Sequence, residues 1–217
     1  MKLSFCAHLH QELSLSWRNK SSVLLQCTFL VLASFLFPLG LSDLSTLETL
    51  AVPILYVLAL MAFSNSFPQI FQKDFEDGTL TQLYLHPVSI HRIALIKALA
   101  LWISHGLILV AIAPFLAMLL KIPMDLLPLI ILSLSLSLLA AALIGTLAAS
   151  LTLGSKNKFF LTSVLVFPLF VPLIIFGTHA PLSETWSPFL MLLGLFLLYL
   201  PISIWLSGFA LREALTQ

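Results

Sequence analysis

Six long apolar stretches, separated by short polar segments, account for most of the chain. They cover residues 21–41, 47–68, 93–120, 126–153, 159–178 and 188–211. Each has the roughly 20 residues that a helix needs to cross about 30 Å of hydrocarbon. Backbone groups inside a bilayer must be hydrogen-bonded within the segment, and the alternating polarity of barrel strands is absent from these stretches. The pattern therefore predicts an all-α, polytopic membrane protein with six transmembrane helices.

The segment before the first stretch has the pattern of an amphipathic helix. On a helical wheel the residues of one face are mostly apolar: Leu3, Cys6, Leu9, His10, Leu13 and Trp17. The opposite face is polar: Ser4, His8, Gln11, Glu12 and Arg18. We expect residues 1–20 to lie on the inner leaflet as an anchor, with Trp17 at the interface. An alternative is that this helix transmits motion to the first span.

The loop at residues 69–92 is the longest polar stretch. Asp77-Gly78 indicates a turn, Thr79 followed by Gln82 fits a capping box, and Pro87 ends the helix that would begin there. The pattern predicts a short cytosolic helix that docks in a groove of a partner, or one that only coats the membrane surface. The candidate coupling residues are Lys73, Asp74, Glu76, Asp77, Gly78, Thr79, Leu80, Gln82, Leu83 and Tyr84.

Composition and charge narrow the class of protein. Hydrophobic residues make up 60% of the chain and charged residues 9%, and the mean hydropathy is +1.09. So few charges cannot form a water-soluble surface, and a net charge of +1 gives no basis for binding nucleic acid. Nine of the ten Lys and Arg residues lie in alternate segments, and only Lys121 lies on the opposite side. The positive-inside rule then predicts that both termini are cytoplasmic.

The sequence also carries no recognisable enzyme motif. No G-x-x-x-x-G-K-[ST] occurs, and Gly154-Ser155-Lys156 is only a fragment of one. The two cysteines, Cys6 and Cys27, form no C-x-x-C, so we expect no metal site. We therefore predict that this chain is not an enzyme and that any ATP used is bound by a partner subunit.

Several of these motifs resemble a known family. Glu76-Asp77-Gly78-Thr79-Leu80 resembles the E-x-G-T-L segment after the second span of ABC-2-type transporter permeases. The stretch 73–83, followed by Leu85-His86-Pro87, is more similar to the cytochrome c maturation permeases, the haem exporter protein B (CcmB) family. Leu36-Phe37-Pro38-Leu39 and the runs at 114–120 and 167–176 add to the likeness, which covers essentially the whole chain. Thr81 stands where the family often has an acidic residue.

The resemblance implies a fold and a function. The fold would be a single ABC-2-type permease domain over residues 1–217, in the bacterial inner membrane. The function would be that of the permease in an ABC complex for c-type cytochrome biogenesis, where ATP hydrolysis is linked to haem export or to release of a haem-loaded chaperone. The implied partners are a cytosolic ATPase, a haem-handling membrane protein, the chaperone and a second permease copy. Two alternatives stay open: an ABC-2 exporter permease for another lipid or drug-like substrate, and a non-transporting assembly scaffold.

Polar and proline residues inside the spans mark a candidate haem or substrate path. His105 lies about twelve residues into the third span, where an imidazole can ligate haem or, alternatively, hydrogen-bond between helices. His179 lies at the outer end of the fifth span, and Pro168 and Pro172, one turn apart, predict either a moving gate or a fixed bend there. We expect Lys97 to extend towards the inner interface.

Overall fold

A computed structural model of the chain describes residues 5–18, 20–40, 44–78 and 90–216, and within these ranges the regular structure is helical with no strand. The α-helices are α1 (Phe5–Arg18), α2 (Lys20–Gly40), α3 (Leu44–Ser64), α4 (Gln72–Glu76), α5 (Ile90–Leu101), α6 (Leu107–Leu119), α7 (Leu127–Leu151), α8 (Lys158–Leu182) and α9 (Ser187–Thr216). A π-helical turn, Trp102–Gly106, joins α5 to α6, and two 3₁₀ turns lie at Phe67–Gln69 and Met124–Leu126.

Six helical segments are long and apolar enough to cross a membrane. We call them spans one to six: Ser21–Gly40, Ser45–Glu76, Ile90–Leu119, Met124–Leu151, Lys158–Leu182 and Ser187–Ala214. The predicted all-α, six-span architecture is thereby confirmed. Six crossings bring the chain back to the side from which it started, and we call that side, where span one begins and span six ends, the terminal side of the bundle.

Span four lies at the centre of the bundle, where it contacts spans two, three, five and six. Its small residues, including Ala140, Ala141 and Gly145, are buried. A Cβ atom on Gly145 would lie 2.6 Å from the Phe67 ring. Because Gly145 has no side chain, the segment that follows α3 packs directly on span four. About half of each of spans two to four is buried, but less than a quarter of spans one, five and six.

Phe67 anchors the segment that follows α3. Its ring makes edge-to-face contacts with Phe63, at a centroid distance of 5.3 Å, and with Phe170 of span five, at 6.2 Å. Both geometries are those that aromatic pairs prefer. The chain therefore leaves the packed interior at a fixed point before it forms α4.

Span three contains the π-helical turn, an interruption that occurs often at functional sites. Gly106 ends the turn, and a Cβ atom there would lie 2.9 Å from the Trp102 ring. The Trp102 indole N–H donates a hydrogen bond of 3.1 Å to the carbonyl of Ser135 in span four. These contacts fix the orientation of the turn, which also contains His105.

The structure corrects one expectation about α1 and gives the extent of the helix in span five. The helix at the N-terminus is confirmed as α1, but its faces are partly wrong: His8 is buried and His10 is exposed. The physical reason is that α1 packs against α5 of span three, so part of its polar side meets protein. Span five runs as one helix from Lys158 to Leu182, continuous through Pro168 and Pro172, which are exposed and half-buried respectively.

Candidate functional site

A polar cavity of about 470 Å³ opens between α1, span three and the segment that follows α3. Lysine, carboxylate, amide, hydroxyl and imidazole groups all contribute to its wall. The lining residues are Gln11, Glu12, Leu15, Ser22, Ser66, Gln69, Ile70, Lys73, Asp74, Asp77, Lys97, Ala100, Leu101 and His105. These residues come from four separate segments, so relative movement of those segments would change the shape of the polar cavity.

The wall of the polar cavity contains a buried ion-pair cluster. The Lys97 ammonium lies 3.0 Å from Oε2 of Glu12 in α1 and also pairs with the carboxylate of Asp74 in α4. Only 6% of the Lys97 side chain is exposed, against 14% for Glu12 and 18% for Asp74. We call these three residues the Lys97 cluster. It joins α1, span three and the first part of the predicted cytosolic loop (residues 69–92).

The surroundings of Lys97 hold its charge in place. Desolvating an ammonium costs several kcal/mol, and the two carboxylates offset that cost through attraction in a medium of low dielectric. The Phe71 ring adds a cation–π contact, with its centroid 5.8 Å from the ammonium nitrogen. The Lys97 ammonium is thus enclosed by protein carboxylates and an aromatic ring.

Two lining residues of the polar cavity, Ser66 and His105, form a hydrogen-bonded network with Gln26 of span one. His105 Nδ1 lies 2.9 Å from the amide oxygen of Gln26 and 3.2 Å from the hydroxyl of Ser66. The Gln26 amide nitrogen in turn donates to Ser66. An amide oxygen only accepts, so Nδ1 carries the proton and, in a neutral imidazole, Nε2 carries the lone pair.

This network bears on the two interpretations of His105. Its Nδ1 bonds match the alternative of a neutral histidine hydrogen-bonded between helices, since Gln26 lies in span one and Ser66 after α3. Hydrogen bonds between transmembrane helices stabilise a bundle by about 0.6 kcal/mol on average.

The predicted coupling residues divide into two groups. Thr79, Leu80, Gln82, Leu83 and Tyr84, and with them the predicted capped helix, lie outside the described residues. Of the others, Lys73, Asp74 and Asp77 line the polar cavity, and Glu76 accepts a hydrogen bond from Gln72 within α4.

Gly78 confirms the predicted turn, because its φ of +69° is a backbone conformation that favours glycine. Asp74 differs most from the expectation. Its carboxylate pairs with Lys97 inside the protein. From the sequence we had expected this carboxylate among the charged residues that face a partner.

The other residues of the predicted haem or substrate path are not brought together with His105. His179 is exposed in the last turns of span five, and the described lining of the polar cavity includes neither it nor Pro168 or Pro172. Within the part of the chain that the structure describes, no group of three or more His, Cys, Asp or Glu side chains could hold a metal ion.

Sequence reasoning missed two members of the site. Gln26 is an isolated amide in the apolar run of span one, and Glu12 looked like a solvated residue of α1. A polar side chain inside a span is costly without a partner, so Gln26 carried a signal, but the sequence did not show which residue it meets. Ser66 bonds to His105 of span three, whereas Ser64 bonds to the Met61 carbonyl of its own helix.

Comparison with known proteins covers the same helices. The sequence profile of the family described as CcmB protein matches residues 3–217, which include all six spans. Heme exporter protein B of Haemophilus influenzae is 32% identical over 216 residues, which are 97% of this chain and 96% of that protein.

Two further relatives carry the same name. The protein of Pseudomonas aeruginosa is 34% identical over 177 residues, which are 81% of this chain and 79% of the relative. The protein of Rhodobacter capsulatus is 38% identical over 174 residues, which are 80% of each chain. The similarity thus extends over most of each chain.

Proposed function

The chain belongs to the CcmB family, and from this we propose that it is the membrane subunit of a haem-exporting ABC complex for cytochrome c maturation. The observation that carries the proposal is the family match over residues 3–217, together with relatives named heme exporter protein B at 32–38% identity. The six apolar spans fit a permease subunit.

A cytosolic ATPase is the partner that this function requires. The sequence has no nucleotide-binding glycine loop, so ATP is bound by another subunit and this chain has no enzymatic activity of its own. We place the docking surface of the ATPase at residues 73–84. Two observations support that placement: the glycine turn at Gly78, and the direct contact between Asp74 of the same segment and a lysine of span three.

The proposed topology puts the terminal side of the bundle in the cytoplasm. The positive-inside rule supports it, since nine of the ten Lys and Arg residues belong to that side. The membrane is the bacterial inner membrane, and the complex holds two permease copies with a haem-handling membrane protein and its chaperone. Spans one, five and six, with less than a quarter of each buried, offer apolar surface to these neighbours and to lipid.

The path of haem remains a proposal on four residues. Haem is cargo here, and His105 is the imidazole side chain that lines the polar cavity. His179, Pro168 and Pro172 stay candidates at the other end of the path, without a described contact to the polar cavity. An exporter for another lipid or drug-like substrate would use the same ATPase contact, and a scaffold would use it without transport.

Capture of the ATPase tests the proposal. The tagged chain is purified in mild detergent from cells that also make the candidate ATPase, and the ratio of the two proteins is measured. We expect Gly78→Val to lose the ATPase, because valine does not adopt φ of +69° without strain. Leu80→Asp with Leu83→Asp should do the same by placing charge on the apolar face of the predicted helix.

Gly154→Val is the matched control, since Gly154 has a φ of +78° in the loop after span four. It imposes the same backbone strain away from the docking surface and should retain the ATPase. Retention of the ATPase by Gly78→Val and by the double variant would contradict the docking surface. A wild-type chain that captures no ATPase would refute the proposed function.

A further inference from the structure

The Lys97 cluster connects two segments for which the family assignment provides no link. Lys97 belongs to span three, Glu12 to α1, 85 residues earlier, and Asp74 to α4. All three side chains also line the polar cavity. One cation is thus held by carboxylates from two helices that are separate in sequence.

Stability alone does not account for such a cluster. Replacing a buried ion pair or triad by well-packed apolar side chains is often neutral or stabilising, whereas removing one partner is strongly destabilising. The arrangement also has an unequal count of charges, with one ammonium for two carboxylates. A displacement of either carboxylate therefore changes how Lys97 interacts with the other.

We propose that Lys97 is a positioning residue that ties movement of α4 to movement of α1. The inference rests on the proposed function, in which the ATPase docks on residues 73–84 and so acts on Asp74. When the ATPase shifts α4, the Lys97 ammonium follows Asp74, because separation would leave buried charge without compensation. Glu12 then follows Lys97, and α1 moves with it.

The consequence falls on the polar cavity. Gln11, Glu12 and Leu15 form the α1 part of its wall, and His105 of span three also lines it. A shift of α1 therefore widens or narrows access to the polar cavity. Through Lys97, the shape of the polar cavity depends on the nucleotide bound to the partner.

Glu12→Gln provides the test, because it removes the charge that ties α1 to Lys97 and leaves Lys97 paired with Asp74. It nearly keeps the shape of the side chain, leaves one cation opposite one carboxylate and changes no residue of the docking surface, so the fold and the ATPase contact should persist. Lys156→Met is the control, because Lys156 is an exposed charged residue in the loop after span four. The complexes with the ATPase, in lipid nanodiscs, are compared without nucleotide and with nucleotide trapped by vanadate.

Hydrogen exchange of residues 5–18 is the first measurement. In the wild type and in Lys156→Met, we expect exchange in α1 to change when nucleotide is trapped, because the contacts of α1 change. Glu12→Gln should lose that change while the complex still binds the ATPase and hydrolyses ATP. The second measurement is c-type cytochrome formed in cells, which Glu12→Gln should lose at unchanged permease abundance.

Each result has a defined meaning. A nucleotide-dependent change in α1 that persists in Glu12→Gln overturns the role of Lys97. The role of Lys97 is also overturned if hydrogen exchange in wild-type α1 is the same with and without nucleotide while the ATPase is bound. A wild-type chain that binds no ATPase refutes the proposed function as well, and the capture ratio separates that result from the other two.

Discussion

Replacing Gly145 by Ala is expected to destabilise the bundle, although alanine is the better helix former. The added Cβ atom would lie 2.6–2.7 Å from three atoms of the Phe67 ring, closer than such atoms approach in proteins. The ring has nowhere to go, since it is fully buried and contacts Phe63 and Phe170. Phe67 must therefore move together with its neighbours, or span four must move away.

The magnitude follows from the cost of overpacking. Extra atoms in a well-packed core cost about 1–3 kcal/mol. That cost lowers the ratio of folded to unfolded protein roughly 5- to 150-fold. It corresponds to a fall of about 2–4 °C in Tm for each kcal/mol. Since Phe67 precedes α4 by a few residues, we also expect weaker stimulation of the ATPase by lipid-reconstituted permease.

The assay is thermal unfolding of the purified chain in detergent, with Gly194→Ala as the control. Gly194 lies in span six, and a Cβ atom there would meet nothing within 4 Å. That variant should be neutral or slightly stabilising, because alanine favours a helix over glycine by up to about 1 kcal/mol. Phe67→Leu combined with Gly145→Ala should recover part of the loss. Equal Tm values for Gly145→Ala and Gly194→Ala would refute this account of the packing.

Three further predictions concern the polar interior. Lys97→Ala alone should lower the yield of folded permease, because it leaves Glu12 and Asp74 without their cation at a cost of about 3–5 kcal/mol. Fluorescence-detected size exclusion measures this yield, and an unchanged yield would contradict the burial of the cluster. Gln26→Met should cost about 0.6–1.7 kcal/mol by removing the acceptor of His105 Nδ1, measured as a lower Tm, and a Tm equal to the wild type would argue against that bond. His105→Ala should abolish the haem absorbance band of the purified complex if Nε2 ligates the iron, whereas an unaltered band leaves the histidine only its structural role.

The sequence predicted the spans because a bilayer imposes one strong rule, that about 20 apolar residues cross it. The close packing of span four likewise follows from the small residues in its sequence, such as Ala140 and Gly145. Both features depend on composition within one segment. For the same reason α1 was predicted as a helix from its own periodicity.

The polar cavity could not be predicted in the same way. Its contacts join segments far apart in the chain, such as Gln26 with His105 and Glu12 with Lys97. A polar residue in a span signals that a partner exists, but the identity of the partner depends on which helices meet. Lys97 shows the consequence: its place near the end of a span indicates a polar environment, but the sequence did not show that Glu12 and Asp74 provide it.

The enclosure of Lys97 also determines how the complex responds to salt. Exposed charges more than about 8 Å apart are largely screened at physiological ionic strength, but buried pairs are screened much less. Electrostatic contacts between the ATPase and the membrane surface should weaken in concentrated salt, while Lys97 keeps its hold on Glu12 and Asp74. A salt wash that strips the peripheral subunit would thus leave the internal linkage of the permease intact and ready to accept fresh ATPase.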